Sequence, residues 1–352
     1  MNKALIPRAI QAVEQQVRRL ETQCDRLVID ADVHLTDPGS LDTVGKQRFY
    51  SDPNYYHGRP ICAEDAIREM DMADVNMAVV WQNPVVTGHN YNGDPEHNTR
   101  VLAAANRYVW DTGVRFPDRF IPSGWVDPKA CGLDNALDMV DLLVCEFGFL
   151  VIKMNPSKGG FPITDPRVQA VVDRIVSLGA VPAFHFGADS PNTPAAGIRS
   201  LAERHPGHSL IAVHMGGGGA GYDGAEQLYL DARRLGLDCP NIHFVLSTKR
   251  DAHIESDLIT YQMAGEPFCH NLFCGSDAPF GRMTWNFGGF RAMLGSLLDG
   301  AKHTDARIRA NPGLFTREAV RDYLGGNFAR FAAQGYRGLL AAHVPLVPLA
   351  AS

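Results

Sequence analysis

From Arg26 onward the chain alternates short β-branched or aliphatic runs with amphipathic stretches. The runs are RLVIDADVH, MAVVWQ, FIPSGWV, FLVIKMN, VPAFHF, LIAVHM, IHFVLS and NLFCGSD. Their C-terminal ends fall near residues 34, 82, 125, 153, 185, 214, 247 and 276, and the last six ends lie 28 to 33 residues apart, as a strand plus its return helix requires. Eight such units predict an α/β fold, a single-domain (β/α)8 TIM barrel. The intervening segments AEDAIREMDMADV, DNALDMVDLLVCEFG and DPRVQAVVDRIVSLG carry apolar residues every three or four positions, and the last two end on Gly, as helices often do.

Ahead of the first strand, residues 8 to 23 place Ile10, Val13, Val17 and Leu20 at helical spacing, so an amphipathic helix packs under the barrel or against a partner subunit. Two loops exceed the connecting minimum. One runs from Leu35 to Pro60 with Tyr50, Tyr55 and Tyr56, and the other from Asn83 to Pro95 with His89, Asn90 and Tyr91. Long loops after barrel strands usually form the substrate mouth. Helices are expected near 285–298, 304–310 and 316–334, followed by an apolar tail. The chain then divides into an N-terminal helical extension (1–26), the barrel (27–335) and a C-terminal tail (336–352).

Composition narrows the partners. The net charge is −6 and the basic residues are scattered, which leaves no footprint for nucleic acid or an anionic membrane. No segment reaches about 18 uninterrupted apolar residues. Seven dispersed cysteines without a CxxC pair fit reduced thiols. The expectation is a cytoplasmic homo- or hetero-oligomer acting on a small molecule.

Candidate chemistry gathers where the strands end. Asp30, Asp32 and His34 stand at i, i+2 and i+4, so on a regular strand they face one way. Two carboxylates turned into a core are costly without a cation. His185 and His214 end successive apolar strands, and Asp277 closes the eighth, so five distant side chains can share one metal. Lys153 ends the fourth run. It binds a substrate carboxylate, carries a carbamate bridging two metals, or snorkels to water. Trp81, Trp125, Phe280 and Trp285 lie at or just past strand ends and are candidate pocket walls. His205, His208, His253, His270 and His303 read as surface residues, while His243 begins the seventh strand at the wrong end for the site. Gly216, Gly218 and Gly221 satisfy GxGxxG, but in the sixth unit and inside a glycine run, where chance fits are easy.

Taken together, the strand-one motif, Lys153 with Pro156, HFG, HMGG, GSDAP and the closing GGNFARF resemble the amidohydrolase superfamily. The resemblance is to the amidohydrolase-related branch that includes the aminocarboxymuconate-semialdehyde and resorcylate decarboxylases, and it covers about Val28 to Phe331. It implies a distorted barrel holding one, or with Asp30 and a carboxylated Lys153 two, divalent ions. The implied ligands are Asp32, His34, His185 and Asp277, with His214 as a ligand or as the acid/base beside it. Asp32 stands where the commonest family pattern, HxH, has its first histidine. The extra carboxylate shifts preference from Zn toward Mn or Fe.

The leading expectation is a metal-dependent enzyme acting on a small carboxylate-bearing or aromatic molecule, by default through hydrolysis by a metal-activated water, with Asp277 as acid/base and His214 stabilising the oxyanion. Three alternatives stand beside this first reading. The second is non-oxidative decarboxylation, in which Arg250, Arg282 or Arg59 clamps an acidic group of the substrate. The third is a dinuclear Mn/Fe oxygenase, and the last a non-catalytic barrel subunit.

Overall fold

The computed structural model describes residues 6–50, 59–187, 191–217, 226–249 and 251–343. Its strands are β1 (Ile29–Leu35), β2 (Met77–Gln82), β3 (Phe120–Pro122), β4 (Gly124–Trp125), β5 (Val151–Met154), β6 (Val181–His185), β7 (Leu210–Val213), β8 (Ile242–Leu246) and β9 (Leu272–Cys274). All pairings are parallel, and the strands form two arcs, β1-β2-β3 and β4-β5-β6-β7-β8-β9. Helices connect consecutive strands, so the (β/α)8 plan holds, with two local departures.

The third expected strand is split. Pro122 carries no N–H to continue a ladder, and Ser123 breaks the run while its amide still donates to the Val80 carbonyl at 3.0 Å. Between the first and last strands the arcs meet through a single parallel bridge, Val33 to Ala278, in which the His34 amide donates to the Ala278 carbonyl at 2.7 Å. The result is a distorted barrel whose hydrogen-bonded ladder is not continuous, and the seam runs beside the strand-one motif.

The strands are buried on both faces, as their apolar runs demand. The helix Pro166–Ser177 shows how local sequence sets an element. Asp165 caps it by accepting from the Arg167 amide, Pro166 takes the first turn where no donor is lost, and Gly179 leaves it at φ 79°.

Of the two alternatives for the N-terminal helix, Pro7–Thr22 packs under the barrel. Val13, Val17 and Leu20 are buried, and Gln16 Nε2 donates to the Phe120 carbonyl at 2.8 Å. It lies along the last helix, Asn327–His343, which runs beyond residue 334 and buries Tyr336 and Leu339. A Cβ on Gly325 would overlap the Leu27 carbonyl oxygen, so the GGNFARF turn can press against the entry to β1 only as glycine. His303, expected at the surface, is buried, its Nδ1 accepting from the Asp305 amide. All seven cysteines are unpaired. Among the described residues no helix is long and apolar enough to cross a membrane.

Candidate metal centre

Three side chains converge at the barrel's C-terminal mouth. Asp32 and His34 reach it from β1 and Asp277 from the turn after β9, and one donor atom from each lies within 4.8 Å of the other two. His34 Nε2 stands 3.4 Å from Asp277 Oδ1 and 3.6 Å from Asp32 Oδ1, longer than good hydrogen bonds. Gly275 permits the approach, since a Cβ there would press on Val245 and Asp32.

The ring nitrogens of both buried histidines are assigned by their partners. His34 Nδ1 donates to the Gln82 carbonyl at 2.9 Å, which leaves the lone pair on Nε2, facing the carboxylates. Ser247 Oγ has one proton, which it gives to Asp32 Oδ2 at 2.9 Å; it therefore accepts from His214 Nδ1 at 2.8 Å, and His214 also keeps its lone pair on Nε2. Imidazoles fixed through Nδ1 with Nε2 turned to the site are what metal-ligating histidines require. His185 stacks edge-on against His214 with ring centroids 4.6 Å apart.

Electrostatics separate two aspartates only two residues apart. Burial alone would raise the Asp32 carboxyl, but Lys153, His214 and His34, with the Ser247 hydroxyl, outweigh it and hold Asp32 well below the usual carboxylate range. Lys153 Nζ donates to Asp32 Oδ1 at 3.1 Å and lies 4.8 Å from the Trp81 ring and 5.4 Å from the Trp125 ring. Asp30 belongs to a different cluster. Its oxygens accept from the Ser276 amide and hydroxyl and the Asp32 amide, and burial pushes it up to about 8. Burial also pushes His214 down to about 4 against the pull of Asp277 and Asp32, so its imidazole is neutral near pH 7.

Four non-glycine residues at the mouth hold positive φ: His214 (79°), Met215 (45°), Thr248 (54°) and Asp277 (57°). Such conformations cost about 1–3 kcal/mol each, and surrounding contacts must maintain them. Thr248 Oγ1 donates to Asp277 Oδ2 at 3.0 Å, and Lys249 Nζ donates to the Met215 carbonyl at 3.0 Å.

The structure thus gathers Asp32, His34 and Asp277, sets His214, His185 and Lys153 beside them, and turns Asp30 away. Trp81 and Trp125 are buried against Lys153, and Phe280 meets the His34 ring edge-on at 5.5 Å, with Trp125 on it at 5.9 Å. Trp285, 70% exposed, lies outside the wall, and the Arg282 guanidinium covers its ring. Arg250, Tyr55, Tyr56, Gly218 and Gly221 lie outside the described residues. Sequence reading missed Ser247 and Thr248, which orient Asp32, His214 and Asp277, and Ser276, which holds Asp30 away from them. The signal was present, since polar residues follow at once on VL and CG at two strand ends.

The donor chemistry fits a divalent cation: two carboxylates and two fixed imidazole lone pairs in a buried setting. A protein-family model described as amidohydrolase matches residues 29–264. No curated protein matches. Among solved structures, a 2,6-dihydroxybenzoate decarboxylase complexed with 2,6-dihydroxybenzoate is 15% identical, with TM-score 0.60, and the match covers 88% of this chain and 98% of that one. A 5-carboxyvanillate decarboxylase from Novosphingobium aromaticivorans, complexed with manganese and 4-hydroxy-3-methoxy-5-nitrobenzoic acid, is 14% identical with TM-score 0.59, covering 87% and 96%. An uncharacterised TIM-barrel protein from Bordetella bronchiseptica is 14% identical with TM-score 0.58, covering 88% and 99%. With the family model spanning both donors of β1 and the strands that carry Lys153, His185 and His214, the chain belongs to the amidohydrolase family.

Proposed function

We propose that this chain is a metal-dependent carboxy-lyase that releases CO2 from a small aromatic carboxylate. The observation that carries the reading is the wall around the donors. His34 is flanked edge-on by Trp125 and Phe280, and the Trp81 and Trp125 rings face Lys153. A flat ring is a good occupant for such a wall. The decarboxylase neighbours agree with the reading.

Asp32, His34 and Asp277 would hold the ion, with His185 and His214 beside them. A bound Mn²⁺ or Fe²⁺, which this carboxylate-rich set prefers to Zn²⁺, supplies Lewis acidity toward the substrate's oxygens. The chain's own residues divide the proton work. Lys153 engages Asp32, so of the two carboxylates facing His34 it is Asp277 that is placed to relay a proton to the substrate. Asp277, oriented by Thr248, gives that proton to the ring carbon bearing the carboxylate. The carbon–carboxylate bond then breaks, its electron pair returns to the ring, CO2 leaves, and Asp277 is reprotonated from water. The aromatic wall limits solvent at that carbon.

Hydrolysis, the chemistry the family is named for, uses the same Asp277 with water as the attacking group. A dinuclear oxygenase would need Asp30 and a carbamate on Lys153. The engagement of Asp30 with Ser276 and of Lys153 with Asp32 favours a single ion instead.

The deciding experiment incubates Mn²⁺-loaded protein with a panel of hydroxylated benzoates and of aromatic amides and esters, following CO2 release and ¹⁸O uptake from labelled water. CO2 release with a proton placed on the ring and no ¹⁸O in the organic product is the expected result. Turnover of the amides or esters with ¹⁸O incorporation would replace this reading with hydrolysis.

A further inference from the structure

Successive side chains of a strand face opposite ways, so His34 looks into the barrel and Leu35 looks out of it. Past the C-terminal ends of β1 and β2 lies a half-enclosed cavity of about 370 Å³, with Leu35, Thr36 and Asn83 among its wall residues and the helix Pro95–Arg115 along another side. None of Asp32, His34 or Asp277 lines it, nor do His185, His214 or Lys153. Folded interiors contain few voids larger than a water molecule, whereas small-ligand sites begin near this volume.

The polar lining is uneven. Thr36 is 4% exposed, and its buried hydroxyl has no hydrogen-bond partner among the described residues. His97 Nε2 donates to the Asn90 carbonyl at 3.0 Å, so its Nδ1 keeps a lone pair. The Thr87 hydroxyl gives its proton to Gln82 Oε1 at 2.5 Å and retains acceptor capacity. Val86, Val101 and Ala104 supply an apolar patch. Among the described residues no lysine or arginine lines the cavity and one carboxylate, Asp37, does, so an anion would meet repulsion without a counter-charge. A ligand that suits these walls is uncharged, carries several hydroxyls, and has one apolar face.

We infer that this cavity is a binding site, separate from the metal centre, for an uncharged polyhydroxyl molecule of about the size of one sugar ring. The inference does not rest on the reaction proposed above. Wild-type chain is titrated with glucose and, as the charged counterpart of the same ring, with glucuronate, and ligand-observed NMR reads the saturable signal. Saturable glucose binding is expected, with glucuronate weaker by about tenfold or more. Ala104→Phe, at a solvent-exposed helix position that reaches into the space, abolishes the signal; Thr36→Val, which keeps shape and removes the hydroxyl, weakens it about tenfold. Asp277→Asn, at the metal centre, leaves it unchanged. No saturable signal, equal binding of glucuronate, survival in Ala104→Phe, or loss in Asp277→Asn would each overturn the inference.

Discussion

Two buried charge clusters lie a few residues apart at the mouth of this barrel, and they are finished to different degrees. Around Asp257, on the helix Asp251–Ala264, every charge has a close partner. Arg233 donates to Oδ1 at 2.6 Å and Lys249 to Oδ2 at 2.5 Å, and Lys249 uses a further proton on the Met215 carbonyl. Around His34 the same kinds of groups stop short. Asp32 and Asp277 stand 3.6 and 3.4 Å from a ring nitrogen whose lone pair faces them. Both clusters bear the cost of removing charge from water; the first recovers it among its own charges, whereas in the second Lys153 serves Asp32 and Asp277 is left facing the His34 lone pair with only the Thr248 hydroxyl on its other oxygen. The second has a net excess of acceptors, and a cation is what completes it. Burial of charge alone therefore does not mark a functional site, whereas burial with acceptors left facing one another does.

Substitution separates the two. Asp277→Asn keeps the volume and removes one of two facing carboxylates, so the fold should hold or gain stability while turnover falls about 10²–10⁴-fold, the usual worth of a positioned acid. A CO2-release assay beside a urea titration reads both. Wild-type turnover in this variant would return Asp277 to a structural role. Asp257→Asn should do the reverse. It leaves Lys249 and Arg233 with charge uncompensated, and a loss of about 3–5 kcal/mol in unfolding free energy is expected. A loss under 1 kcal/mol would mean that the cluster is less tightly coupled than its distances imply.

These two centres were not equally readable from sequence. The rim site was legible because barrel strands end at known intervals, and Asp32, His34, His185, His214 and Asp277 each stand where an apolar run stops. Asp257 and Arg233 lie on helices among ordinary polar residues, and nothing local distinguishes them from a solvated face. The strand-one motif was half legible. Regular alternation puts Asp30 and Asp32 on one face, but the β1–β2 register shifts between Asp30 and Val33, and the two carboxylates take different partners. The partner of Lys153 lies 121 residues away, beyond any local pattern, which is why three roles stayed open for it. The split at Ser123 was written in Pro122, whose missing N–H ends a ladder whatever the surrounding hydrophobicity.

Metal addition sharpens the contrast further. At a hundredfold excess over its dissociation constant, an ion that binds only the folded chain should raise the unfolding free energy by about 2.7 kcal/mol. Asp32→Asn and His34→Gln should remove that increment, measured by urea titration with and without Mn²⁺. An increment that persists in both variants would place the ion elsewhere.

The smallest effect concerns a histidine far from the mouth. His243, at the start of β8 between Phe273 and Phe331, is pushed down to about 4 by burial, from an ordinary 6.5. The folded chain therefore resists a proton that the unfolded chain accepts as pH falls below 6.5. Stability from this group is whole above 6.5 and is lost progressively as pH falls toward 4. His243→Phe keeps an aromatic ring against Phe273 and removes the titration, so between pH 7 and pH 5.5 it should lose about 1 kcal/mol less than the wild type. Because His243 touches no residue of the donor set, the difference should be the same with and without Mn²⁺. A difference that appears only when the ion is absent would instead tie this end of the strand to the metal centre.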